Sequence, residues 1–276
     1  MTKIKEEDKK NFKYKWKVAK EWMLNLVFPK HMKCLVCGRD LKETSEVEFC
    51  EECLRGMETI GDKCCEKCGS KLIAEEKFCL NCQAKERYFD IARSCFVFDD
   101  SVRHLIHQLK FGNKPYIARA FAPMLRDKLV NLNWDYDVII PVPLFPKHKK
   151  ERGYNQSEML ARELLKYVDK PINTTSLIKI KDTSKQLTLG YSDRLSNLDG
   201  AFEVMDKSSI KGKNILLIDD VMTTGATANA CSETLRKAKV NSIKVLTVAH
   251  GMVKIPVIEG EKTEILGKDA KKINKQ

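Results

Sequence analysis

Two carboxylates, Asp219 and Asp220, stand side by side directly after a short apolar run, Ile215-Leu216-Leu217-Ile218. Val221 and Met222 follow, and then the turn Thr223-Thr224-Gly225-Ala226-Thr227. Those residue types in that order suit a phosphorylated sugar. Four consecutive apolar residues mark a strand buried on both faces. The Ala-rich stretch beyond Thr227 has helical spacing. A small-residue turn between strand and helix lets an anion approach free backbone N–H groups at the positive end of a helix dipole. Bulky side chains would block that approach, which accounts for Gly225 and Ala226. The two carboxylates would repel the same phosphate and need another partner. Ionised carboxylates only accept hydrogen bonds, and a ribose offers two hydroxyl donors.

The second chemical constellation is a set of thiols. Cys34-x-x-Cys37-Gly38 is followed by Cys50-x-x-Cys53, and Cys65-x-x-Cys68-Gly69 by Cys79-x-x-Cys82. The first pairs lie 31 residues apart and the second pairs 29, the mark of one duplicated unit. Two intervening residues let both sulfurs reach one ion at about 2.3 Å. The glycine after each first pair permits the tight turn that aims N–H groups at the sulfurs. Four pairs make two Cys₄ zinc sites. Consecutive pairing is the simplest arrangement, crossed pairing between the copies is the alternative, and an iron–sulfur cluster would use the same thiolates. Cys64, Cys95 and Cys231 are left over and read as structural.

A third stretch is basic and aromatic: Phe145-Pro-Lys147-His-Lys149-Lys150-Glu-Arg152-Gly-Tyr154. As a loop, its cations could track a polyanion's backbone while Phe145 and Tyr154 stack on bases. The formal charge of +12 agrees with such a partner. Two tetrathiolate zinc sites, each near −2, would reduce it to roughly +8.

These groups need elements to hold them. Residues 12–28, with Trp16, Ala19, Trp22, Met23, Leu26 and Val27 at helical spacing among lysines, predict a basic amphipathic helix stopped by Pro29. It either packs on its own protein or meets a membrane or partner. A second domain begins near residues 84–90. Phe96–Phe98 predicts a strand, and apolar spacing predicts helices from Val102 to Leu109 and from Ile117 to Leu129. The strand from Asp137 ends in the prolines Pro141 and Pro143, as a strand terminus allows. Lys147–Asn155 reads as a loop, followed by a helix over 156–167. Further strands are expected at Leu177–Ile180 and Ile243–Val248. Alternating strands and helices imply a parallel α/β sheet with ligands at the strands' carboxyl ends. The N-terminus has no signal-peptide core and no run suits a membrane span, so a cytoplasmic location is expected, where eleven cysteines argue for metal rather than disulfides. Boundaries are expected at 1–30 (basic amphipathic helix), 31–85 (double zinc ribbon), 86–251 (the parallel α/β domain that carries the acidic pair) and 252–276 (charged tail).

The stretch 215–227 closely resembles the 5-phosphoribosyl-1-pyrophosphate (PRPP) signature of type I phosphoribosyltransferases. That resemblance implies that Asp219 and Asp220 hold the ribose hydroxyls, that Thr223–Thr227 wrap the 5-phosphate, and that magnesium accompanies PRPP. With Val102-Arg-x-Leu-Ile-x-x-Leu-Lys-Phe111, Ile140-Pro-Val-Pro143 and Glu151-Arg-Gly-Tyr-Asn-Gln-Ser157 in order, the chain is identified as a member of the ComF family. Membership implies a type I phosphoribosyltransferase-like parallel sheet behind an N-terminal double zinc ribbon, and handling of single-stranded DNA during natural transformation with DNA-uptake machinery as partner. Lys147, Lys149, Lys150, Arg152 and Tyr154 would then contact pyrophosphate or DNA. A PRPP-consuming enzyme of nucleotide metabolism is the alternative, with no catalytic residue nameable. One region departs from the family pattern: Gly190, Tyr191, Leu195 and Asp199 replace a serine and three arginines of the substrate-covering loop.

Overall fold

The computed structural model describes residues 33–41, 47–72, 76–183 and 198–251. The expected N-terminal helix, the charged tail and most of the departing loop lie outside the described residues. Four strands, β1 (Ile91–Val97), β2 (Val138–Pro141), β5 (Asn214–Met222) and β6 (Ser242–His250), form one sheet in the order β1-β6-β5-β2, with every pair parallel. The expected parallel α/β sheet is therefore present.

Alternation along β5 decides what each face touches. Leu216 and Ile218 point to one side with Leu246, Val248 and Ile139, against the helices α3 (Asp100–Phe111), α4 (Ile117–Leu132) and α6 (Gln156–Leu164). Ile215 and Leu217 point to the other with Val245 and Ile140, against α7 (Ala226–Lys237). Burial on both faces is what the continuous apolar run demanded, and each such side chain contributes roughly 1.5–3 kcal/mol.

The thiol-bearing region straddles the sheet's β1 edge. Each repeat carries a short helix after its second cysteine pair begins, α1 (Glu51–Gly56) and α2 (Leu80–Ala84). The copies also share backbone bonds, Cys34 N–H to the Arg39 carbonyl at 2.7 Å and Cys65 N–H to the Ser70 carbonyl at 2.8 Å. The first copy inserts Phe49 and Met57 into the core beside α4. The second copy packs Cys65, Cys68 and Cys79 with Val138 and Ile215 on the opposite face. Gly69 (φ 74°) lies so close to β1 that a Cβ would stand 2.7 Å from the Ala92 carbonyl oxygen.

Three expectations need correcting. Lys147–Arg152 is not a loop but a short helix, α5 (Pro146–Arg152), opened by Pro146 and closed by Gly153 at φ 83°. Leu177–Ile180 does not join the main sheet: β3 (Leu177–Lys179) pairs antiparallel with β4 (Phe202–Val204) in a separate two-stranded ribbon. The strand of the acidic pair does not stop before it, because β5 runs on through Asp219 and Asp220 to Met222.

Candidate sugar-phosphate site and metal centres

β5 delivers the acidic pair at the carboxyl end of the sheet, and Gly225 makes the turn into α7. Gly225 sits at φ 75°, a left-handed conformation costly to residues with a Cβ. Thr224 Oγ1 accepts from the Ala226 N–H at 3.3 Å and tightens the turn. Asp219, Thr223, Thr224, Ala226 and Thr227 line a small cleft at this point. The first N–H groups of α7, which no helix satisfies internally, are available there to an anion.

The carboxylates are more buried than a pair facing open solvent: Asp219 is 8% exposed and Asp220 3%. Asp219 Oδ1 accepts from Ser157 Oγ at 2.8 Å and from the Asp220 N–H at 2.9 Å. Burial, aided by the neighbouring Asp220, pushes the Asp219 carboxyl up to about 7. Asp220 Oδ1 accepts from the Val221 N–H at 2.7 Å. Lys110 Nζ stands 3.0 Å from Asp220 Oδ2. Lys110 is thus the charged partner of Oδ2, and the oxygen's second lone pair is left for another donor.

The basic segment is more committed than its sequence suggested. Lys149 pairs with Glu158 at 3.1 Å and Lys147 reaches Glu151 at 4.0 Å. Arg152 donates to Gln156 Oε1 and lies over the Phe111 ring, 5.1 Å from its centroid. The Tyr154 hydroxyl donates to the Leu109 carbonyl, and Phe145 packs against His148 with centroids 6.1 Å apart. His148 bridges Asp182 at 2.9 Å and Glu151 at 3.0 Å, which raises its pKa, Asp182 contributing most. Of these cations, Lys150 and Arg152 have no ion-pair partner among the described residues.

The sulfurs of Cys34, Cys37, Cys50 and Cys53 all lie within 4.8 Å of one another, as do those of Cys65, Cys68, Cys79 and Cys82. Pairing is therefore consecutive. Sulfurs at the corners of a zinc tetrahedron with about 2.3 Å bonds stand about 3.8 Å apart. Cys37–Cys50 at 3.7 Å and Cys68–Cys79 at 3.6 Å match that spacing. The thiolates also receive N–H donors, Cys53 N–H to Cys50 Sγ and Cys68 N–H to Cys65 Sγ, both at 3.5 Å. The backbone N–H and guanidinium of Arg39 hold the Cys37 thiol down to about 6. Both donor sets fit structural zinc, with no position left for a reacting ligand.

Residues 23–83 match the model of the double zinc ribbon domain, and residues 153–275 match that of the phosphoribosyl transferase domain. Competence protein F of Haemophilus influenzae is 30% identical over 227 residues, covering 80% of this chain and 97% of the relative. The chain belongs to the ComF family. Competence protein ComFC of Streptococcus pneumoniae is 26% identical over 79% of this chain and 100% of its own length. DNA utilization protein YhgH of Escherichia coli K12 is 26% identical over 71% of this chain and 88% of its own.

In this ComF-family chain the structure adds three residues that local sequence reading missed. Ser157 and Lys110 reach the acids from α6 and α3, and only the motifs containing them hinted at a role. Arg87 is 8% exposed, its Nη2 donates to the Asn81 carbonyl at 3.3 Å, and its Nε has no partner. Its Nη1 lies 3.5 Å from where a Cβ on Gly225 would stand, so a guanidinium from the ribbon-to-sheet linker backs the phosphate-type turn. That linker is fastened to α7 by the Tyr88 N–H to Asn229 Oδ1 at 2.8 Å and by Arg236 to Asp90 at 2.6 Å. Among the described residues no helix is long and apolar enough to cross a membrane.

Proposed function

We propose that this chain is a PRPP-binding, phosphoribosyltransferase-like competence protein that handles single-stranded DNA during DNA uptake. The observation that carries the sugar-phosphate half is the buried acidic pair at the end of β5, with Asp219 lining the cleft that Thr223, Thr224, Ala226 and Thr227 form at the α7 N-terminus. A ribose hydroxyl, or a magnesium ion carried in with the pyrophosphate, would take the acceptor position that Lys110 leaves open on Asp220 Oδ2. The 5-phosphate would then lie in the Thr223–Thr227 turn, with Arg87 behind it. Magnesium, when bound with PRPP, would offset pyrophosphate charge. Ser157 and Lys110 would keep the two carboxylates in place.

The DNA half is supported by the names of the relatives, two competence proteins and a DNA utilization protein, and by the +12 formal charge. A cytoplasmic site of action, and contact with uptake-machinery proteins, belong to the same reading. The alternative, a turning-over phosphoribosyltransferase of nucleotide metabolism, is favoured by Lys110 and Arg152 beside the acidic pair, where they would stabilise a departing pyrophosphate.

Calorimetric titration with PRPP and magnesium tests the first half, and anisotropy with a labelled oligonucleotide tests the second. The Asp219→Asn, Asp220→Asn double variant should lose PRPP binding while remaining folded. Unchanged PRPP affinity in that variant would overturn the sugar-phosphate reading. Steady pyrophosphate release with a nucleobase and no DNA would favour the enzyme.

A further inference from the structure

Beside the acidic pair lies a larger cleft of about 540 Å³, lined by Lys110, Phe111, Asn113, His148, Lys150 and Arg152. Its most exposed aromatic residue is Phe111, the last residue of α3, which leaves 68% of its surface in solvent. Gly112 caps the helix and Asn113 turns the chain away at φ 52°, so nothing after Phe111 covers the ring. A lone exposed phenylalanine is ordinary. This one is flanked by two further planar groups: the Arg152 guanidinium 5.1 Å from its centroid and the His107 ring at 5.0 Å, tilted by 47°. A ring backed by a guanidinium is how nucleic-acid proteins present a stacking surface for bases.

The charges around the ring suit an anion. Glu151 is the cleft's own carboxylate, and His148 at 3.0 Å and Lys147 at 4.0 Å face it. Asp182 accepts from the opposite side of His148 at 2.9 Å. Lys110 answers Asp220. Lys150 remains exposed and without an ion partner among the described residues, and Arg152 offers the guanidinium face not turned to Gln156. The two aromatic residues nominated by the sequence, Phe145 and Tyr154, are committed to His148 and to the Leu109 carbonyl. Stacking therefore moves from those residues to Phe111.

The geometry points to this cleft as the base-stacking site for single-stranded DNA, with a base on Phe111 and flanking phosphates on Lys150 and Arg152. The inference rests on the DNA-handling reading above and names its surface. It also sets the strand next to the sugar-phosphate site, because Lys110, the neighbour of Phe111, holds Asp220.

The test uses the full-length protein, a fluorescein-labelled oligothymidylate, and an abasic oligonucleotide of the same length and charge. Phe111→Ala should weaken oligothymidylate binding about 5- to 140-fold while leaving the abasic strand's affinity unchanged. Phe111→Trp should retain affinity, and its added emission should be quenched by oligothymidylate but not by the abasic strand. Equal affinity of the wild-type protein for both strands would overturn the stacking site. So would an unchanged oligothymidylate affinity in Phe111→Ala, with the DNA reading left standing. Failure of the wild-type protein to bind either strand at low salt would sink the DNA reading itself, and this site with it. Phe111 is too exposed for its truncation to threaten the fold.

Discussion

Asp219→Asn should make the unliganded protein more stable at neutral pH while destroying its sugar-phosphate site. The acid is 8% exposed, and burial with the adjacent Asp220 lifts its pKa from an ordinary 3.8 to about 7. A group held above its unfolded value binds protons more tightly in the fold, so the stability it allows is complete below about pH 4. That stability is lost as pH rises through about 7. At about 1.4 kcal/mol per pH unit, the interval from 3.8 to 7 amounts to at most about 4 kcal/mol of destabilisation at pH 8. Asparagine removes that charge and keeps an oxygen for both donors now on Oδ1, Ser157 Oγ and the Asp220 N–H. A gain of about 2–4 kcal/mol at pH 8 is expected, shrinking to about 1 kcal/mol or less at pH 4.5. For a domain of this size that is a rise in melting temperature of roughly 5–15 °C. Differential scanning calorimetry of both proteins between pH 4.5 and 8 reads it directly. A variant less stable than wild type at pH 8, or one whose advantage does not shrink on acidification, would refute the reasoning.

Other consequences follow from the same structure. Cys68→Ser and Cys34→Ser should each remove about one zinc ion by elemental analysis. The second site is the more buried, so a chelator should strip the site of Cys34, Cys37, Cys50 and Cys53 first, in a two-phase release followed with a zinc indicator. Arg87→Met should lower affinity for PRPP about tenfold by calorimetry, with both zinc ions retained; equal affinity would mean the guanidinium serves only packing. Lys150→Ala should weaken single-stranded DNA binding and reduce the log–log salt slope by roughly 0.7, with PRPP affinity unchanged. Arg152→Ala should weaken both ligands, since it also releases Gln156 near the acidic pair.

Much of this was legible in the sequence because the relevant chemistry is local. CxxC pairs must share an ion wherever the chain folds, and an apolar run followed by acids and a small-residue turn describes one continuous strand, turn and helix. What local pattern could not reveal is which distant groups meet. Ser157 lies 62 residues from Asp219, and Lys110 is farther still from Asp220. No periodicity links them, so nothing local announces that α3 and α6 bring Lys110 and Ser157 to the pair. The apolar run at Leu177–Ile180 likewise announced a strand without its partner, and β4 claimed it rather than the main sheet. The misreading of α5 has a different cause. Pro146 at its start and Gly153 at its end are ordinary helix signals, but four cations between them suggested a solvated loop.

The segment from Arg152 to Ser157 shows why cleft and acidic pair are best treated as one unit. Gly153 ends α5 in a left-handed turn, and Asn155 opens α6 by accepting from the Ser157 N–H at 3.0 Å while donating to the Val142 carbonyl at 2.9 Å. Those bonds fix the N-terminus of α6 against the end of β2. Ser157 is thereby aimed at Asp219 and Arg152 is left over Phe111. The two side chains sit five residues apart in sequence and serve opposite walls, one the sugar-phosphate side and the other the basic cleft. Phe111 and Lys110 repeat the arrangement on α3, one residue facing each wall. A rearrangement of either helix end would alter both binding surfaces together, so ligand binding at one is expected to be felt at the other through these four side chains.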